Sequence, residues 1–180
     1  LFLSSIVALD ADSGAYKWHY QETPAESWDF TATQPIILAD IAIDGEPRKV
    51  AMQAPKNGFF YVIDRSNGEL ATLPQPFVSV NWARGIDPKT GRPIVNEEAK
   101  WSAGNDENFV ARPGAYGAHS WHPMAYSPDT GLVYIPTQDH MFGYQDEPGF
   151  RYHLGDWNLG RGRVIPFWGV LHPSPLIRNL

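Results

Sequence analysis

The 180-residue sequence contains no cysteine. A disulfide, a thiolate metal site and a CxxCH haem-attachment site are therefore excluded within these residues. No apolar run reaches the roughly 18 residues that a membrane-spanning helix needs. Lys and Arg form no run, and the formal charge is −6. Neither nucleic acid nor an anionic membrane surface is then an expected partner. Leu1 to Leu9 carry neither a starting Met nor a basic flank, so they do not read as a signal peptide. They read as a strand entered partway, and the expectation is an internal piece of a longer protein.

Seven Trp, eight Tyr and nine Phe stand beside sixteen Gly and sixteen Pro. Such a composition favours short strands joined by tight turns over long helices. With 43% hydrophobic and 19% charged residues, the chain can bury one ordinary core.

One local phrase recurs. The apolar run Ser4 to Leu9 enters Asp10-Ala11-Asp12-Ser13-Gly14, and Ala15 to Tyr20 leaves it with the period-2 alternation of a half-buried strand. Asp closes such a turn through its side chain and Gly supplies positive φ. The phrase returns at Asp64 to Gly68, more loosely at Asp87 to Gly91, and at Ser127 to Gly131. A degenerate hairpin repeat with insertions predicts an all-β fold, either a β-propeller or a β-sandwich with similar hairpins. Trp18, set just after the first turn, favours the propeller. Between the first two copies, Gln34 to Ile43 and Lys49 to Met52 read as strands about an Asp44-Gly45 turn.

Three places carry candidate chemistry. Asp29 stands between Trp28 and Phe30 in the segment Ser27 to Gln34. A carboxylate walled by rings can act as a base or metal ligand, or it can simply cap a turn. Lys56 precedes the hairpin turn Asn57-Gly58, where it is either a solvated turn lysine or a cation aimed into the mouth where strands converge. Gly114 to Met124 contains His119, Ser120, Trp121 and His122. The two His suggest zinc, but Pro123 and the glycines exclude the helix such pairs normally occupy. Backbone amides and a flat indole around a planar ligand fit this stretch better. The segment from Asn96 to Asn108 reads as a solvated insertion. Residues 1–156 are expected to form the propeller part, and 157–180 read as an unassigned loop or non-native end.

Three segments together resemble the quinoprotein alcohol dehydrogenases, which use pyrroloquinoline quinone (PQQ) with calcium. They are SSIVALDADSGAYKWHYQETPAESWDFTATQPIILAD at 4–40, PRKVAMQAPKNGFFYVIDRSNG at 47–68 and GAHSWHPMAYSPDTGLVYIP at 117–136. The resemblance implies an eight-bladed β-propeller of tryptophan-docking repeats, present here as an incomplete, open arc. It implies that Asp29 is the general base that also approaches calcium, and that Lys56 binds the quinone oxygens. Ser120 and Trp121 match the pair at the cofactor edge, where relatives often carry Asn in place of the Ser. In lanthanide-using relatives an extra Asp stands two residues after the catalytic one. Thr31 holds that position here, which favours calcium.

The resemblance places the remaining calcium ligands, a vicinal disulfide and the Trp that sandwich PQQ in segments preceding Leu1. Closing blades, and any cytochrome domain bearing haem c, would follow. The implied activity is oxidation of a primary alcohol in the periplasm, with cytochrome c or another carrier as electron acceptor. A chain of this extent is expected to be inactive alone. A non-catalytic binding or assembly propeller is the alternative, as is a quinoprotein acting on sugars or polyols. The co-occurrence of Asp29 and Lys56 favours the dehydrogenase.

Overall fold

The computed structural model describes residues 2–102, 108–156 and 158, and the backbone of 103, 166–167 and 176–179. Its regular structure is antiparallel strand, arranged in separate small sheets. Strands β1 (Ser5–Leu9) and β2 (Tyr16–Gln21) form the first hairpin. A four-stranded meander follows, of β3 (Ile37–Ile43), β4 (Glu46–Gln53), β5 (Phe59–Asp64) and β6 (Gln75–Pro76). Strands β7 (Ala83–Ile86) and β8 (Pro93–Val95) make a second hairpin. Next come β9 (Phe109–Ala111), β10 (Ala125–Ser127), β11 (Leu132–Ile135) and β12 (Met141–Tyr144). β10 pairs with β11, and β12 with β9.

The expected domain boundary at 156 falls where most residues lie outside those described. Within 157–180, two short strands are described, β13 (Pro166–Phe167) beside β12 and β14 (Leu176–Asn179) beside β11.

The four repeat phrases are one structure. In each, the glycine N–H donates to the carbonyl of the residue four earlier, at 2.8 to 2.9 Å, with φ between +66° and +81°. In the first three an Asp carboxylate also takes the N–H two or three residues on: Ser13, Ser66 and Lys89. Where the acceptor is Asp10, the Ser13 hydroxyl and N–H, with Lys17, hold the carboxyl down at about 2. The turn is thus closed by charge-assisted bonds, and only glycine reaches that φ without steric cost.

Alternation along β5 divides the interior. Phe59, Tyr61 and Ile63 enter one core with Trp28, Phe30 and Trp82. Phe60 and Val62 enter a second with Val50, Met52, Ala118, Met124 and Ile135. A central strand buried on both faces favours a continuous run of aromatic and aliphatic residues, which this one has from Phe59 to Ile63 before it ends at Asp64. Trp18 and Tyr20 project from β2 onto later turns. The Trp18 indole donates to Arg65 O at 3.0 Å and lies over Gly68, while the Tyr20 hydroxyl donates to Gly91 O at 2.5 Å. These two side chains tie three repeats together.

One expectation is corrected. The stretch from Asn96 is not simply a solvated insertion. Two short 3-10 turns, Glu97–Ala99 and Trp101–Ala103, bury Ala99 and Trp101. Its many charged residues mask two apolar anchors, and those anchors bear on the candidate site. Residues 104–107 lie outside those described.

Candidate active site

Residues 22–36 contain no strand or helix, so their backbone polar groups need partners from elsewhere. They find them in side chains. Trp101 Nε1 donates to Ser27 O at 3.2 Å, and the Tyr144 hydroxyl to Trp28 O at 2.6 Å. Lys56 Nζ donates to Asp29 O at 3.0 Å, and the Ser4 hydroxyl donates to Phe30 O. Gln53 Nε2 reaches both Ala32 O (3.0 Å) and Gln34 O (2.7 Å). The donors come from elements scattered across the chain, so the loop is fixed only when the whole fold is assembled.

Trp28 and Phe30 both turn inward onto Trp82, with ring centroids 5.1 and 5.5 Å from it. Trp28 Nε1 donates to Ala99 O at 3.0 Å. With its two neighbours buried, Asp29 is forced out, its side chain 65% exposed and its φ at +64°. Lys56 meets it from the β4–β5 turn. The Lys56 side chain is only 14% exposed, and Nζ lies 3.5 Å from Asp29 Oδ2. Ala118 N–H donates to Lys56 O at 2.9 Å, and Gly117 packs against the Lys56 stem. The neighbouring Asn57 is fully buried, donating to Thr23 Oγ1 and Tyr61 and accepting from Phe59 N–H. The lysine is therefore no solvated turn residue. Its stem is walled and its ammonium is delivered to the exposed carboxylate.

The third stretch divides. His119 is fully buried, with Nδ1 facing Ala54 O at 2.5 Å and Nε2 facing His122 O at 2.6 Å. With both nitrogens engaged, His119 is a strut and offers zinc no free nitrogen. Among the described residues, no group of three His, Cys, Asp or Glu is placed to hold a metal. Ser120 is half-buried, whereas Trp121 is 76% exposed and stacks on His122 at 4.1 Å. The structure brings Asp29 and Lys56 into contact and seats residues 117–118 against Lys56. Trp121 projects outward, its indole face on a neighbouring ring.

Several residues of this site carry no sequence signal. Glu26 bonds the loop backbone on both sides of Asp29. His140 is buried against Tyr116, and neither ring nitrogen has a partner among the described residues. Burial pushes its pKa below the usual imidazole value, and the Lys56 charge adds to that shift. Glu26 belongs to the loop itself, whereas only tertiary packing brings His140 near Lys56.

Comparison with known proteins bears on what this arrangement serves. The family model for the glucose/ethanol/alcohol dehydrogenase β-propeller domain, the PQQ model, matches residues 1–74. The quinohemoprotein alcohol dehydrogenase ADH-IIG of Pseudomonas putida is 58% identical over 150 residues, covering 82% of this chain and 20% of that protein. The solved structure of quinohemoprotein alcohol dehydrogenase ADHIIG from Pseudomonas putida HK5 superposes with a TM-score of 0.85 at 51% identity. It covers 91% of this chain and 24% of that one. The chain belongs to the PQQ-dependent alcohol dehydrogenase family. Its sheets are part of that family's β-propeller, and the sandwich alternative falls away. A europium-containing methanol dehydrogenase also superposes, with a TM-score of 0.76 at 35% identity, over 81% of this chain and 25% of that one. The chain spans about a fifth to a quarter of the length of these relatives.

The residues present suit a family cofactor in part. Lys56 Nζ has three donors and directs two at Asp29, leaving one for a quinone oxygen. The exposed Asp29 carboxylate is a hard oxygen donor of the kind calcium takes. Calcium needs six to eight oxygens, so one carboxylate is a fraction of a site.

Proposed function

We propose that this chain supplies the base, the cofactor-binding lysine and one metal ligand of a PQQ- and calcium-dependent dehydrogenase that oxidises a primary alcohol to an aldehyde. The observation that supports this most is the meeting of Asp29 and Lys56 across an otherwise irregular loop whose carbonyls are clamped one by one. A scaffold has no need to spend a buried lysine stem on an exposed carboxylate.

In this reading Asp29 accepts the alcohol's hydroxyl proton, which must leave as the C–H bond breaks. Its exposure leaves the carboxylate within reach of substrate. The Asp29 oxygens would share a calcium ion with ligands from the rest of the protein. Lys56 would hold the quinone oxygens, and Ser120 and Trp121 would border the cofactor edge. When bound, PQQ with its metal ion supplies the electron sink that takes the hydride. The ammonium of Lys56, on a stem walled by Gly117, presents a positive charge where negative charge builds up, with little reorganisation needed. Electrons would pass on to a cytochrome c or another carrier, and the periplasm is the proposed location.

The test uses the complete gene product reconstituted with PQQ and calcium, wild type against Asp29→Asn. Dye-linked oxidation of ethanol is followed beside the absorbance of bound PQQ. Collapse of turnover with PQQ retained is the expected result. A wild type that neither binds PQQ nor oxidises alcohols would instead indicate a binding propeller.

A further inference from the structure

Between the buried rings of Trp28 and Phe30, the Asp29 side chain is exposed and not held by packing. Its sole polar side-chain contact among the described residues is Lys56 Nζ at 3.5 Å, and it is 65% exposed. Where its carboxylate points is therefore decided by the backbone. That backbone is unusual, because φ is +64° at a residue with a Cβ. Asp tolerates the left-handed region better than most residues, yet still at a cost. Something nearby must hold it.

Glu26 is placed to do so. Its Oε1 accepts from Trp28 N–H at 2.6 Å and from Phe30 N–H at 2.7 Å. Two residues of extended strand span about 6.6 Å, more than those two distances together. One oxygen can take both N–H groups only if the chain folds back between them, and the residue between them is Asp29. The concavity is of the anion-binding type made by successive N–H groups, and here the chain's own carboxylate fills it. Lys56 Nζ grips Asp29 O from another side at 3.0 Å. The turn at Asp29 is thus held between an acceptor and a donor of opposite charge.

We infer that Glu26 is the positioning residue for Asp29, selecting its left-handed backbone through the N–H groups of Trp28 and Phe30 and so aiming its carboxylate. The inference rests on Asp29 acting as the base. The requirement is for an acceptor oxygen at this reach. Gln can supply one, Asp is a methylene too short, and Ala has none. Misplacing a reacting group by about 1 Å can cost on the order of 100-fold in rate.

The experiment compares Glu26→Gln, Glu26→Asp and Glu26→Ala in the complete enzyme with PQQ and calcium. Glu26→Gln is expected to keep kcat within about threefold of wild type. Glu26→Asp and Glu26→Ala are expected to lose roughly 10- to 100-fold in kcat, with KM for the alcohol little changed and PQQ absorbance retained. A crystal structure of Glu26→Ala should show φ at residue 29 moved away from +64°. If Glu26→Ala does not fold, Glu26→Asp against Glu26→Gln decides, and equal kcat in those two overturns the inference. So does a Glu26→Ala enzyme with residue 29 unmoved and full turnover. Asp29→Asn run in parallel separates the two layers. Full turnover in Asp29→Asn removes the base reading itself, whereas an inactive Asp29→Asn beside a normal Glu26→Ala removes only the role of Glu26.

Discussion

Gly117 lays its bare Cα against the stem of Lys56. A Cβ at position 117 would fall 2.2 Å from Lys56 Cγ and 2.8 Å from its Cα, and φ there is +83°. Because the clash reaches the Lys56 backbone, it cannot be relieved by swinging the ammonium aside. Gly117→Ala should push Lys56 off Asp29 and weaken PQQ binding about tenfold or more, equivalent to at least about 1.4 kcal/mol. Titration of the apoenzyme with PQQ, read by absorbance, checks this. Unchanged affinity would show that the Lys56 position does not govern the cofactor.

Trp18 and Gly68 make the contact that joins the first two repeats. A Cβ on Gly68 would meet the indole at 2.7 Å. Trp18→Ala also removes the bond to Arg65 O, and for a half-buried Trp the expected loss is about 2–4 kcal/mol. Gly68→Ala should destabilise wild type strongly but the Trp18→Ala background less, since the steric part of its cost is gone. The double-mutant cycle is read by denaturant unfolding. Strict additivity would mean that the two residues do not act as one joint.

Glu22 lies buried beside Tyr61, with neither carboxylate oxygen hydrogen-bonded among the described residues. Burial raises its pKa well above the usual value of 4.5. A group whose folded pKa is raised favours the fold below its unfolded pKa, and that contribution is lost as pH rises toward the folded value. Glu22→Gln should therefore raise Tm at pH 7 to 8, with the gain shrinking toward pH 4. Thermal melts across that range test it, and a gain independent of pH would mean Glu22 is not the titrating group.

Thr31 stands two residues beyond Asp29, half-buried, with its N–H donating to Asp29 O at 3.2 Å. Its neutral hydroxyl adds no anionic charge for a trivalent ion. Thr31→Asp in the full enzyme is expected to shift metal preference from calcium toward lanthanides. Competition of calcium against europium, monitored by europium luminescence, measures that preference. The same ratio in both proteins would remove Thr31 from the choice of metal.

The repeat turns and the strand alternation were legible from residues 4 to 135 because they are local. An Asp four places before a Gly closes its own turn, and period-2 alternation declares which face is buried. Asp29 and Lys56 were legible as a pair only through family likeness, since 27 residues separate them and neither carries a local signal for the other. The resemblance also named Ser120 and Trp121, but not the outward setting of Trp121 on His122. The misread segment after Asn96 shows the limit most clearly. Its charges describe the surface of the segment, whereas Ala99 and Trp101 act through what they touch.

The amino-acid sequence by itself determined the all-β class, the hairpin turns and the family, and it singled out Asp29, Lys56, Ser120 and Trp121 as candidates for the chemistry. These depend on neighbours a few positions apart or on motifs that survive in order. Tertiary structure alone decided how Asp29 is presented. Trp28 and Phe30 are drawn onto Trp82, while Trp101, Tyr144, Lys56, Ser4 and Gln53 satisfy the loop carbonyls from 19 to 116 residues away. A backbone with no ladder of its own takes its shape from whichever donors the folded chain brings to it, and those distances in sequence carry no periodic signal.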